Sequence, residues 1–175
     1  MGDDETQKLV GALATYRQAR VRFLEALGCS SNRDPLAEFS ERLVATWLGG
    51  SLAESRVQKD WDVRLGDGHT VQVRYLANPA DRWDNEHHVR FTDQLDWYAL
   101  AVFEAFELVA VVCLPRHAMP TVCQRLGKRH PDQSTSLQLT RANFRRLLAE
   151  RPTFERLGLR FLDGTSLRKS VQSDA

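Results

Sequence analysis

The chain lacks the features by which several classes of protein are recognised. Its three cysteines, Cys29, Cys113 and Cys123, form no Cys-x-x-Cys pair, so we expect reduced thiols rather than a zinc cluster or a disulfide framework. No apolar run is long enough to cross a membrane, and the acidic first residues are unlike a secretory signal. These absences favour a cytoplasmic protein with no membrane partner.

Several catalytic and architectural motifs are also missing. The chain contains no glycine-rich phosphate loop, no Gly-x-Ser-x-Gly turn and no internal repeat. Its hydrophobic fraction of 42% and charged fraction of 27% are ordinary for a globular protein. At 175 residues, we predict a single domain over residues 1–165, followed by a polar tail at 166–175.

The net charge of +1 conceals an uneven distribution along the chain. Residues 1–115 carry 12 Lys and Arg against 18 Asp and Glu, whereas residues 116–175 carry 12 against 5. Three arginines of the basic final third, Arg141, Arg145 and Arg146, lie in a predicted helix and are candidates for binding nucleic-acid phosphates. The alternative is a solubilising, arginine-rich helix surface.

Two helices are predicted before the first strands. An N-terminal amphipathic helix over residues 8–28 places five apolar residues near one stripe: Leu9, Leu13, Tyr16, Phe23 and Leu27. The second helix begins after the N-cap Asp34, has Pro35 in its first position and ends at Gly49. These signals mark clear boundaries for the second helix.

The run from Trp61 to Tyr75 predicts a tight β-hairpin. Its apolar residues share one face only if the turn is the three-residue loop Gly66–Asp67–Gly68, in which Gly68 takes a left-handed conformation. The apolar face then consists of Trp61, Val63, Leu65, Val71, Val73 and Tyr75.

The polar face of this hairpin brings together a carboxylate, an amide and a cation. Asp62, Gln72 and Arg74 share that face, and such a group could hold a divalent metal ion against a phosphate. The sharpest functional hypothesis is therefore phosphodiester chemistry. The alternative is an ordinary half-buried hairpin with a solvated polar face.

The rest of the chain predicts central strands followed by helices. A polar loop at residues 78–88 contains Trp83, which is either a core anchor or a base-stacking side chain. The uninterrupted apolar runs 98–103 and 108–114 are typical of strands buried on both faces. We then expect a helix at 118–126, a short strand at 137–139, a helix at 141–150 and a frayed tail beyond Phe161. The predicted fold class is α/β, a mixed β-sheet flanked by helices.

The order of these residues resembles the PD-(D/E)XK nucleases, which have the restriction-endonuclease-like fold. That family has an acid in an early helix, an Asp that opens a hairpin strand and Glu-x-Lys on the next strand; here Glu41, Asp62 and Gln72-Val73-Arg74 stand at those positions. A group of small bacterial proteins of this fold is a closer match, since its Pro-x-Gly-Asp-Tyr-Ala-Glu-x-Leu-Val-Ala helix is similar to residues 35–45. The resemblance covers roughly residues 33–125, about half the chain, and the predicted core is residues 34–126.

The resemblance implies an endonuclease that hydrolyses phosphodiester bonds with a metal, usually in DNA, and often serves restriction, repair or phage defence. Asp62 and Gln72 would bind Mg²⁺ or Mn²⁺, Glu41 would join directly or through a water, and Arg74 would hold the scissile phosphate. Members of the family often act as homodimers, because one active site cuts one strand.

Two departures from the family pattern leave other functions open. Gln72 replaces Glu, which removes a charge interaction of up to roughly 4 kcal/mol at ~4 Å and an effective dielectric of about 20. Arg74 replaces Lys, and an arginine that stays protonated cannot act as a general base. One alternative is a nuclease-fold module that binds DNA or a protein partner without cutting; another is an interaction protein of a toxin–antitoxin or defence system. The alternative role of Glu38 and Glu41 is a solvated acidic pair in the first turn, which complements the helix dipole.

Overall fold

A computed structural model describes residues 2–29, 33–54, 60–127 and 136–167. The helices in these ranges are α1 (Gly2–Ala26), α2 (Pro35–Leu48), α3 (Met119–Arg125), α4 (Arg141–Ala149) and α5 (Arg151–Glu155). The strands are β1 (Ser51–Leu52), β2 (Val63–Arg64), β3 (Thr70–Asn78), β4 (His87–Arg90), β5 (Trp97–Glu104), β6 (Glu107–Pro115), β7 (Ser136–Leu139) and β8 (Arg160–Asp163).

A six-stranded sheet forms the centre of the fold, with the strand order β1-β2-β3-β5-β6-β8. β3 and β5 are parallel, and the other neighbouring strands of this sheet are antiparallel. A separate ribbon pairs β4 with β7. The chain is therefore mixed α/β, with a mostly antiparallel central sheet flanked by helices. The finer assignment to a restriction-endonuclease-like fold stays a prediction.

Helices pack on both faces of the central sheet. On one face, Val44 of α2 packs with residues such as Val73 and Phe103. On the other face, α3, α4 and α5 contribute to a larger core that includes Phe144 and Phe154. β5 and β6 are buried over most of their length on both sides, which confirms the interpretation of their apolar runs.

The second helix has the boundaries that the sequence predicts. The Oδ1 atom of Asp34 accepts hydrogen bonds from the backbone N–H groups of Leu36 and Ala37, at 2.8 and 3.3 Å. Pro35 begins the helix, and Gly49 ends it in a left-handed conformation with φ 68°. These caps set the two ends of α2, and packing of Val44 with Val63 and Val71 holds the helix beside the hairpin.

β2 and β3 form the predicted hairpin in the predicted register. Val63 pairs with Val71. The Leu65 N–H donates to the His69 carbonyl at 2.9 Å, and the Gly68 N–H donates to the Leu65 carbonyl at 3.0 Å. Gly68 has φ 89°, in the left-handed region that closes such a turn. The three-residue loop is therefore confirmed.

The hairpin face needs one correction, at Trp61. This side chain packs against the core on the opposite face of the sheet from Val63. The prediction is wrong because β2 begins only at Val63, so the strand alternation does not extend back to Trp61.

The segments around the predicted loop and tail also differ from the prediction. β4 begins at the last two residues of the predicted polar loop, and only Val89 is buried in it, so the sequence shows no apolar run there. Trp83 is a core anchor: its ring lies 5.4 Å from that of Phe144. The chain does not fray at Phe161, because β8 pairs with β6 and buries this residue. Residues 168–175 of the predicted tail lie outside the described ranges.

The N-terminal helix is longer than predicted and differs in burial. α1 begins at Gly2 rather than at residue 8, and the predicted apolar stripe is largely uncovered, with Leu9 and Leu13 exposed by 68% and 65%. In the described ranges, no helix has both the length and the apolar character needed to cross a membrane.

We expect Gly50→Ala to destabilise the junction between α2 and the hairpin. A Cβ atom at this position would lie 2.8 Å from the Arg64 carbonyl oxygen and 2.8 Å from Cγ1 of Val63. Overpacking of this kind costs about 1–3 kcal/mol of unfolding free energy. The control is Gly66→Ala in the hairpin loop, where a Cβ meets no atom within 4 Å. Equal stability of the two variants in urea unfolding would contradict this packing.

Candidate functional site

The Asp62 carboxylate is held at the edge of β3, just before β2 begins. The Asp62 N–H donates to the Val71 carbonyl at 2.9 Å, and its Oδ2 atom accepts a hydrogen bond from the Val73 N–H at 2.7 Å. The side chain thus takes the place of a backbone partner at the point where strand pairing stops. An acidic group with a fixed position results, with 15% of its side chain exposed.

Arg74 brings a permanent positive charge to the same carboxylate. Its Nη1 atom lies 3.2 Å from Oδ2 of Asp62 and donates to the Val73 carbonyl at 2.8 Å. The side chain is 44% exposed, so the ion pair adds little to stability. The guanidinium is therefore both anchored and accessible to an anionic ligand.

Gln72 lies on the same face of β3 as Arg74, two residues away. In the parallel register with β5, Gln72 is the partner of Tyr98. The amide is half-buried, and no described residue forms a hydrogen bond with it. Its oxygen is therefore available to a ligand beside Asp62 and Arg74.

A neutral pair, Tyr98 and His87, borders these residues. The Nε2 atom of His87 lies 2.7 Å from the Tyr98 hydroxyl. Burial lowers the pKa of His87 to about 4, helped by the positive charge of Arg74. Burial also raises the pKa of Tyr98 to about 12, with Asp62 adding to the rise and Arg74 opposing it. Both groups are uncharged at neutral pH.

Glu41 is on α2, and its carboxylate is occupied by an arginine. Its Oε2 and Oε1 atoms accept hydrogen bonds from Nη1 and Nη2 of Arg33, at 3.1 and 2.5 Å. Arg33 also lies 3.5 Å from Glu38, which is fully buried. Burial raises the pKa of Glu41, Arg33 opposes this, and the negative charge of Asp62 raises the pKa further. The interpretation of Glu38 and Glu41 as a solvated pair is therefore wrong.

The sheet edge at Asp62 separates two groups of polar residues. Gln72 and Arg74 lie on the face away from α2, whereas Glu41 approaches with α2 from the other face. Asp62 bonds directly to Arg74 and interacts electrostatically with Glu41, although no hydrogen bond links the two carboxylates. Across the described ranges, no three His, Cys, Asp or Glu side chains are grouped as a metal site would need.

The arginines of α4 contact carboxylates of the chain itself. Arg141 Nε and Arg145 Nη2 lie 3.6 and 2.7 Å from oxygens of Glu104, and Arg146 Nε lies 2.8 Å from Glu150. Binding of nucleic acid by these three residues stays a prediction. A phosphate would have to compete with Glu104 and Glu150 for them.

Three residues of this region are not predicted as site residues from the sequence: Tyr98, Arg33 and His87. Tyr98 could have been identified, because a parallel strand after the hairpin places it opposite Gln72. Arg33 precedes the N-cap of α2 and carries no motif. His87 lies on a strand that has no apolar run, where it alternates with the exposed His88.

We expect Arg33→Gln to lower the unfolding free energy by about 1–3 kcal/mol, the range for a buried group left without its partner. The pKa of Glu41 should rise further without Arg33. The loss should therefore be greatest at neutral pH and shrink as the pH falls towards 4.5, the ordinary pKa of a Glu. The double variant Arg33→Gln/Glu41→Gln should recover the part of the loss that comes from Glu41, whereas Glu38 still lacks its contact with Arg33. A double variant no more stable than the single one would contradict this account.

We expect His87→Gln to remove part of the acid sensitivity of the fold. The folded-state pKa of about 4 lies below the ordinary 6.5, so the unfolded chain binds more protons between these values and stability falls as the pH drops through them. Partial exposure limits the effect to about 1–2 kcal/mol. Urea unfolding at pH 7 and pH 4.5 measures it, with the exposed His88→Gln as control. Equal pH dependence in both variants would contradict the burial of His87.

Comparisons with known proteins leave the chain without an assigned family. No family model matches it, and no curated protein is similar to it at a significant level. The resemblance to PD-(D/E)XK nucleases therefore rests on the residues and the hairpin register described above.

Proposed function

We propose that the chain is a metal-dependent endonuclease that hydrolyses phosphodiester bonds, with DNA as its substrate. The observation that carries this proposal is the placement of Asp62 at the open edge of β3, bonded to the Val73 N–H and to Arg74. A fixed carboxylate beside an accessible guanidinium is what a site needs to bring a cation and a phosphate together.

The side chains at this edge fit Mg²⁺ or Mn²⁺ by their chemistry. Asp62 and Gln72 offer hard oxygen donors, and Mg²⁺ usually binds through one or two carboxylates, several waters and the phosphates of the substrate. We assign the ligand role to these two residues. Glu41 would have to release Arg33 before it could join them, since both of its oxygens accept hydrogen bonds from that residue. When bound, the ion would place positive charge beside a phosphoryl oxygen and would lower the pKa of a bound water.

Arg74 would bind the phosphate rather than accept a proton. Its guanidinium stays protonated, and an exchange of Asp62 for a phosphate oxygen needs only a small movement of this half-exposed side chain. In that position it would stabilise the negative charge that develops on the phosphoryl group. Tyr98 and His87 would form an uncharged wall beside it.

A second candidate function is a nuclease-fold module that binds nucleic acid without cutting it. The observation that favours it is the Arg33–Glu41 contact, which commits an acid of the expected catalytic set to an internal partner. The uncharged Gln72 weakens metal binding, and Arg74 cannot accept a proton as a lysine could. Both residues therefore also favour binding without cleavage. Such a module would bind DNA in a salt-dependent way with or without a chelator.

Cleavage of supercoiled plasmid in about 5 mM Mg²⁺ or Mn²⁺ tests the proposal, because these ions suit oxygen donors. We expect nicked or linear DNA that disappears with EDTA. Asp62→Asn should lower the rate at least a hundredfold, since even outer-shell changes at metal sites cost about 10–100-fold. The control is Asp67→Asn, a change of the same kind at an exposed turn of the same hairpin, and it should cut like the wild type.

Two further variants separate a weakened nuclease from a binding module. Gln72→Glu restores a ligand charge and should lower the metal concentration for half-maximal rate about tenfold. Arg74→Lys introduces a group that can lose its proton and should raise the cleavage rate at alkaline pH. Plasmid binding without cleavage in the wild type and in both variants would favour the module. Cleavage that survives Asp62→Asn would rule out this site.

A further inference from the structure

The exposed apolar surface of the described chain is concentrated on one helix. Eight large hydrophobic side chains are exposed in the described ranges, and six of them lie on α1: Leu9, Val10, Leu13, Tyr16, Val21 and Phe23. Their exposed fractions reach 68% at Leu9 and 65% at Leu13. Scattered exposed apolar residues are normal, but a cluster on one helix indicates a surface that binds something.

The spacing of these residues is that of a helix-pairing surface. Leu9, Leu13, Tyr16, Arg20 and Phe23 follow one another at alternating intervals of four and three residues, the repeat of a coiled-coil seam. We call this row of residues the α1 seam. A row of this kind becomes buried when a second helix packs along it.

Among the described residues, the rest of the domain covers only the C-terminal part of the α1 seam. The Phe23 ring lies 6.0 Å from that of Phe39, and Arg20 donates to the Arg33 carbonyl at 2.8 Å. Leu24, beside the seam, is buried. The seam is thus continuous with the core at one end and uncovered at the other, around Leu9 and Leu13.

The charges along α1 are arranged in a way that suits a second copy of the same helix. The start of the helix is acidic, because Lys8 pairs with Asp4 and leaves the exposed Glu5. The second half is basic, with Arg17, Arg20 and Arg22 against Glu25. Two copies side by side in the same direction would bring like charges together. An antiparallel pair would bring each acidic end to the basic half of its partner, which favours association.

We propose that α1 forms an antiparallel helix pair with α1 of a second copy of this chain. A two-fold axis at the level of residue 11 places Leu9 of each copy opposite Leu13 of the other, so the same surface serves both partners, as two-fold symmetry requires. The pair buries the α1 seam that the domain leaves uncovered. Nucleic acid is a poorer occupant, because the seam is apolar and one end of the helix is acidic.

Sedimentation equilibrium of the full chain between about 1 and 200 μM tests the pairing, a range that covers moderate dimer affinities. We expect a reversible dimer, and Leu13→Glu should weaken it at least tenfold. The control is Phe106→Glu, the same type of change at an 81% exposed side chain in the β5–β6 turn, and it should dimerise normally. A wild type that stays monomeric, or a dimer that Leu13→Glu leaves intact, would overturn the proposal.

Disulfide trapping tests the direction of the helices. In a Cys29→Ser background, chains with Thr6→Cys are mixed with chains with Tyr16→Cys and oxidised. The two positions lie five residues before and five residues after residue 11, so the two-fold axis places them opposite each other. The antiparallel pair should link Thr6→Cys to Tyr16→Cys chains, because like positions would lie about 15 Å apart along the axis. Links only between like positions would overturn the proposed direction. This test does not depend on nuclease activity.

Discussion

The hydrogen bond from the Val73 N–H to the Asp62 carboxylate is the interaction on which the candidate site depends. It ends the pairing of β2 with β3 by substituting a side chain for the backbone, and it fixes a negative charge at the exposed edge. Arg74 then has a partner on one face of the sheet, and α2 brings Glu41 from the other. The three-residue hairpin loop supports the same arrangement, since a loop one residue shorter would turn Asp62 away from Gln72 and Arg74.

Charge balance at this edge bears on both of the functions proposed for the chain. Arg33 neutralises Glu41 inside the protein, and Arg74 neutralises Asp62 at the surface. Under the proposed function, the surface pair would open to admit a metal ion and a phosphate, because both side chains are partly exposed. The internal pair is harder to open, because a buried carboxylate without its partner is unfavourable. An acid that can be exchanged suits the proposed endonuclease, and an acid held by an internal partner suits the proposed binding module.

Local rules predict the hairpin and the second helix well. Parity alone gives the register of Val63 with Val71, and the Asp34-Pro35 cap gives the start of α2. The failures come from contacts between distant segments. Trp61 lies before β2, so the alternation of that strand does not predict the face on which its side chain lies. Residues 160–163 form β8 because they pair with β6. The partners of Glu41 and Tyr98 are found only by tertiary packing, because Arg33 and His87 carry no local signal.

The position of α1 has a consequence for any reaction at the Asp62 edge. If two copies pair through this helix, their edges are related by a dyad, and the two strands of duplex DNA are related by a dyad as well. Each protomer could then address one strand with an identical orientation. If the edge also cuts DNA as proposed, the protein would set the offset between the two breaks, and dilution would convert double-strand cutting into nicking.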